Sequence, residues 1–215
     1  MSNSTTNDQP FELIAGQLSL DFANSLGGHR GGVSEEHLRA YPDLVRWGRQ
    51  THLLSDDRAA WLSREAQEHP GEASAAFARA LTLREAIYRV FAAVVGNAQP
   101  APADLALLNA ELTAALADGH IVTSADGFAW DWRDERHSLA QVLGPIARSA
   151  ADLLTSDERR LVRECASDTC TWLFVDHTKN HRRRWCSPSS CGNVAKVRRY
   201  RARRRSAGKA PKISA

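Results

Sequence analysis

Leu18, Leu20 and Phe22 alternate with Gln17, Ser19 and Asp21, a period of two that predicts a short strand near the start of the chain. The glycine-rich "NSLGGHRGGVS" after it reads as a flexible connection, because it lacks the Gly-Lys-Ser/Thr ending of a phosphate-binding loop. Beyond it the period lengthens to three and four. "YPDLVRWGRQTHLL" sets Leu44, Val45, Trp47 and Leu53 near one helical face, with Pro42 suited to a first turn. Ser55 is the expected N-cap of "SDDRAAWLSREAQEH", whose early acids suit the positive helix end. After Pro70-Gly71 a long helix is expected to about Val95, with Phe77, Leu81, Tyr88, Phe91 and Val95 as its stripe. "NAQPAP" breaks the pattern, and a further helix from about Pro102 to Ala117 carries Leu105, Leu108, Leu112 and Leu116.

"HIVTSADGFAWDWR" returns to a period of two around an Asp126-Gly127 turn, which predicts a β-hairpin with Phe128, Trp130 and Trp132 on one face. "HSLAQVLGPIARSAADLLT" is helical again through Leu139, Val142, Leu143, Ile146, Ala150 and Leu153, with a kink or break expected at Gly144-Pro145. The expected class is α+β. A mainly helical N-terminal domain with a small hairpin or sheet occupies 1–155, a four-cysteine module ending in a basic helix occupies 156–205, and 206–215 form a disordered tail.

Composition fits that picture. Of 215 residues, 43% are hydrophobic and 25% charged, values of an ordinary globular protein able to bury a core without staples. The polar "MSNSTTNDQP" start and the lack of any apolar run near the roughly 18 residues of a membrane span predict a cytoplasmic protein, at the nucleoid if it binds DNA. The overall charge of +3 conceals an asymmetry: residues 1–158 hold 12 basic and 22 acidic side chains, whereas 159–215 hold 16 and 3. Such a split points to a cationic arm that binds a polyanion, and leaves open that the acidic body docks on it.

The same arm holds every cysteine. Cys165 and Cys170 enclose four residues, fifteen separate Cys170 from Cys186, and four lie between Cys186 and Cys191. Two close pairs joined by a short span suit two knuckles closing on a tetrahedral Zn2+. "TWLFVD" supplies strand-forming residues for a hairpin between them, and Arg182, Arg183 and Arg184 are expected to favour ionised thiols. Disulfides would need an oxidising compartment, and a redox pair favours Cys-x-x-Cys, which neither pair has. Four protein ligands leave no open position, so the metal is expected to be structural.

"WCSPSSCGNVAKVRRY", preceded by "CTWLFVDHTKN", resembles the CGNR zinc-finger family of bacterial proteins. "GQLSLDFANSL", "YPDLVRWGRQTHLL" and "LREAIYRVF" resemble the ABATE domain that precedes such fingers. The resemblance implies that Cys165, Cys170, Cys186 and Cys191 are the zinc ligands and that the protein regulates transcription. The family's Arg after Cys-Gly-Asn is Val194 here, and its Ser-Arg-Asn is softened to Thr178-Lys179-Asn180 behind His177; both changes bear on recognition, not on metal binding.

"NVAKVRRYRARRR" completes the arm as a helix capped by Asn193. Val194, Val197 and Tyr200 form an apolar edge expected to rest on the knuckle, and Lys196, Arg198, Arg199, Arg201, Arg203, Arg204 and Arg205 cover the remainder. Together with Arg182, Arg183 and Arg184 these are the candidate nucleic-acid contacts, since guanidinium groups take phosphates and guanine edges bidentately. DNA is the favoured partner. RNA, with Trp172, Trp185 and Tyr200 stacking on bases, and a small-molecule-binding or enzymatic body with a purely structural finger remain alternatives. A homodimer and an unknown small effector fit the same picture. The eight histidines are scattered, Asp21 and Asn24 are expected to cap and bond backbone, and no catalytic grouping is recognisable, so the chain is read as a non-enzyme.

Overall fold

The structure is a computed structural model that describes residues 10–125, 127–132 and 138–207. Asp126, His137 and the 208–215 part of the expected tail lie outside these residues, as do the first nine positions and the side chain of Arg205.

The chain enters through α1 (Leu18–Ala23), not the expected strand. Six residues are too few for alternation to discriminate, and burial decides instead: Ser19, Leu20, Phe22 and Ala23 are all enclosed. Buried Ser19 is accommodated because its amide donates to Ser149 Oγ at 3.1 Å. The glycine-rich segment is also more ordered than a flexible connection. It forms an antiparallel hairpin of β1 (Leu26–Gly28) and β2 (Ser34–Glu36), closed where Gly28 at φ +76° lies too near Val33 for any side chain. Buried Arg84 fastens that hairpin with a bidentate pair to Glu36 at 2.6 and 2.7 Å, and Arg30 lies 3.7 Å over the Tyr88 ring.

Five helices build the body: α2 (Tyr41–Gln50), α3 (Asp56–Glu68), α4 (Pro70–Val95), α5 (Pro102–Asp118) and α6 (Leu143–Thr155). Ser55 caps α3 as expected, accepting from the Arg58 amide at 3.2 Å. The inner face of α4 is rotated from the expected stripe. Ala73, Ala76, Ala80, Leu83, Ile87 and Val90 are buried with Phe91, while Phe77, Leu81, Tyr88 and Val95 pack along the flanks. Small alanines admit neighbouring helices closely, which a search for large side chains overlooks. In α5 the stripe shifts to Leu108 and Ala115, leaving Leu116 half exposed.

The Asp126-Gly127 hairpin forms from β3 (His120–Ser124) and β4 (Gly127–Asp131), with Ile121 opposite Trp130 and Thr123 opposite Phe128. Only part of its aromatic face is packed: Trp130 stacks on Trp132 at 5.7 Å, whereas Phe128 is 80% exposed. Gly144-Pro145 lies in the first turn of α6, so it starts the helix instead of kinking it. The following sheet, β5 (Val162–Glu164) with β6 (Leu173–Val175), puts Leu173, Phe174 and Val175 wholly inside. One hydrophobic core therefore runs from Ala15 through the body helices to Cys186.

Candidate metal centre and cationic helix

The β5–β6 hairpin carries the first knuckle in its connection. Cys165 follows β5, Cys170 precedes β6 by two residues, and the Cys165 amide donates to the Trp172 carbonyl at 2.9 Å. Thus "TWLFVD" pairs backward with 162–164 and not forward toward Cys186. The second knuckle arrives over a loop organised by Asp176, which is fully buried. Its carboxylate accepts from Thr178 N and Oγ1 at 3.0 and 2.6 Å and from the Arg183 amide at 2.8 Å. Burial alone would push this carboxyl up; the Thr178 and Arg183 hydrogen bonds outweigh it and hold the group below the usual range. Nothing in the sequence distinguished Asp176 except that it is the last carboxylate of the chain.

All four sulfurs lie within 4.8 Å of one another, three of the cysteines buried and Cys191 half-buried. Cys170 Sγ is 3.8 Å from Cys186 Sγ, which is 3.6 Å from Cys191 Sγ. Thiolates about 2.3 Å from a tetrahedral zinc stand about 3.8 Å apart, whereas a disulfide brings sulfurs to about 2.05 Å. The donor set and spacing therefore fit zinc, and all four thiols are free of disulfides. The thiols lie within hydrogen-bonding distance of one another. Donation from Cys170 and Cys186 pushes the Cys165 thiol down to about 2, and Cys170 is pushed up to about 12. The neighbouring thiols, and not the arginine run, dominate that ionisation. The Cys186 amide, 3.5 Å from Cys165 Sγ, adds the N–H···S contact that a negatively charged sulfur favours.

Cys191 sits in a wide turn, Pro188–Gly192, whose Ser187 side chain accepts from Ser190 N at 3.3 Å. This turn leads directly into α7 (Asn193–Ala207), so Ser187 fills the capping role expected of Asn193. Seven basic and no acidic residues occupy α7. Lys196, Arg198, Arg199, Arg201, Arg203 and Arg204 are exposed along it. The apolar edge does not rest on the knuckle: Val194, Val197 and Tyr200 are 45%, 39% and 60% exposed. The helix packs mainly on the Pro188–Gly192 turn, and Arg198 pairs with exposed Asp168 at 3.4 Å.

The loop arginines divide. Arg182 and Arg184 are exposed, and Arg184 lies 5.3 Å from the Trp185 ring. Arg183 turns inward: it donates to the carbonyls of Ile14, Trp185 and Cys186 and stacks 4.2 Å over Phe174. The structure thus separates it from the outward cationic surface. Asp21 and Asn24 bond backbone, but they do more than cap. Asp21 Oδ1 accepts from the Ala15 amide at 2.9 Å, and Asn24 reaches across to Leu173 of the finger, donating to its carbonyl at 2.8 Å and accepting from its amide at 2.9 Å.

Four free thiols gathered behind an α-helical body and followed by a cationic helix define a zinc-finger class of architecture. Comparison with known families agrees. A model of the ABATE family, described as "Putative stress-induced transcription regulator", matches residues 16–157, and a model of the CGNR zinc finger matches residues 161–204. The chain belongs to the ABATE family and carries a CGNR zinc finger. No curated protein matches the sequence. No helix among the described residues is long and apolar enough to cross a membrane.

Proposed function

We propose that the protein is a zinc-dependent DNA-binding regulator of transcription, in which α7 enters the major groove and the helical body senses a signal or joins two subunits. The observation that carries this reading is the exposed row of basic side chains on α7, directly after the metal cluster. A 15-residue helix is about 22 Å long, enough to lie along a groove about 12 Å wide. Zinc holds Cys191, and with it the start of the helix, so part of the ordering cost of binding is met before DNA arrives. Exposed Arg182 and Arg184 supply flanking phosphate contacts. Of the aromatics considered for stacking on RNA, Trp172 donates its indole N–H to Leu26 at 3.0 Å and Trp185 packs into the core edge. Only Tyr200 is open, which favours duplex DNA.

The test is fluorescence anisotropy of the zinc-loaded protein on a random-sequence duplex over a salt series. Six phosphate contacts give a log–log slope of roughly −5. Arg198→Ala with Arg199→Ala should flatten that slope by about 2 with zinc retained. An absence of DNA binding at moderate salt, or a tenfold preference for structured RNA, overturns the proposal.

A further inference from the structure

We propose that the cavity between the N-terminal segment and the first residues of the finger strand binds a small zwitterion of the amino-acid class. The cavity, about 120 Å3, is lined among others by Phe11, Glu12, Asp21, Asn24, Arg46 and Trp172. The proposal gives a chemistry to the sensing role assigned to the body above, and its binding test does not depend on DNA.

Arg46 is only partly committed. Its Nη2 pairs with Asp43 at 3.0 Å and its Cζ lies 4.9 Å from the Phe11 centroid, but its enclosed Nε has no hydrogen-bond partner. Arg46 lines the cavity, and a carboxylate oxygen is the acceptor that suits a guanidinium best. Asp21 brings a carboxyl group to the same cavity, fixed by the Ala15 amide at 2.9 Å. A simple anion there would face Asp21 and the exposed Glu12, and a simple cation would face Arg46. A molecule bearing a carboxylate and an ammonium group a few bonds apart answers both. Phe11 and Trp172 leave room for only a short apolar side chain.

Larger concavities differ; in the one of about 480 Å3 between α2 and the start of α3, Arg49 and Asp56 already pair at 2.5 Å. In the one of about 240 Å3 beside α5 and α6, Arg79 and Glu111 already neutralise each other. The groove of about 510 Å3 beside α2 and α4 has Arg39 as its one charged lining residue.

Position gives the cavity its consequence. Trp172 is both a wall of the cavity and a residue of the finger: its indole N–H donates to Leu26 O at 3.0 Å, and its carbonyl accepts from the amide of Cys165 at 2.9 Å. Asn24, another wall, bonds both backbone groups of Leu173. A bound zwitterion braces the contact between body and finger one residue away from the metal cluster.

The experiment uses the full-length zinc-loaded protein with glycine, L-alanine and L-serine as probes, and acetate and ethylammonium as single-charge controls, each at about 10 mM. Expected is a rise in melting temperature of about 2 °C or more with at least one amino acid and with neither control. Calorimetric affinity for that probe should fall at least tenfold in Arg46→Gln and in Asp21→Asn, with far-UV circular dichroism and zinc content confirming the fold. If one variant fails to fold, the other decides. Equal binding of acetate, no shift with any amino acid, or affinity that survives the substitutions overturns the proposal. The Arg198→Ala, Arg199→Ala protein should bind the probe normally, so failure of the DNA reading leaves this result distinct.

Discussion

Replacing Asn24 with Ala isolates the contact that joins the two halves of the sequence. Asn24 is 2% exposed and Leu173 is fully buried, so neither backbone group of Leu173 released by the substitution can turn to water. Two hydrogen bonds, at 2.8 and 2.9 Å, disappear. Each stranded buried partner costs about 1–3 kcal/mol, so losing both bonds should cost about 2–6 kcal/mol in total. For a chain of this length that lowers the melting temperature by about 4–24 °C. Asn24→Asp should be no milder near neutral pH, because a carboxylate still accepts from the Leu173 amide but opposes its carbonyl. Calorimetry of the zinc-loaded protein gives the shift, and hydrogen exchange localises it: the Leu173 amide should lose protection while amides of α4 retain theirs. A change below about 1 °C, or uniform loss of protection, would show that Asn24 does not bridge body and finger.

Asp21 gives a pH signature. Burial raises its carboxyl from 3.8 to about 6, against opposing hydrogen bonds from Ala15 and Ile14, so the folded state holds the proton more tightly than the unfolded one. The associated stability, about 3 kcal/mol, is present below about pH 4 and lost as pH rises through 6. Asp21→Asn should accordingly raise the melting temperature at pH 8 and change it little at pH 4; the reverse order would refute the assignment. Arg183→Ala should lower the melting temperature but leave the salt slope of DNA binding unchanged, whereas Arg199→Ala should do the opposite; thermal melts and anisotropy separate the two. Metal analysis should find one zinc per chain, and chelation should abolish DNA binding while far-UV circular dichroism retains most of the helical signal; loss of that signal would show that the metal supports the body as well.

Long elements were legible in the sequence because periodicity over thirteen or more residues outweighs local noise: α3, α4 and α6 fall close to their expected positions. The four thiols were legible from spacing, since knuckle geometry restricts how ligands can be separated. What escaped was short or non-local. Six residues of α1 carry too little pattern to separate a strand from a fully buried helix. The Arg84–Glu36 pair and the Asn24–Leu173 bridge join positions 48 and 149 residues apart, and no local rule connects them. Arg183 illustrates the same limit. Flanked by Arg182 and Arg184, it reads as one third of a cationic run, yet the Phe174 ring and three carbonyls turn it inward.

The shared core changes what the metal has to do. A free-standing zinc finger relies on its ion for nearly all of its folding free energy. Here Leu173, Phe174 and Val175 are buried in the same cluster as α1, α4 and α6, and Val175 donates to the Ala15 carbonyl at 2.8 Å. Cys165, Cys170 and Cys186 are therefore placed largely by body packing and by the Asp176 and Arg183 contacts. Cys191 is not: it is half-buried, in a turn whose main neighbour is α7. An ion held by the four thiols would tie that fourth ligand to three already positioned ones, and so would fix the direction in which α7 leaves the protein.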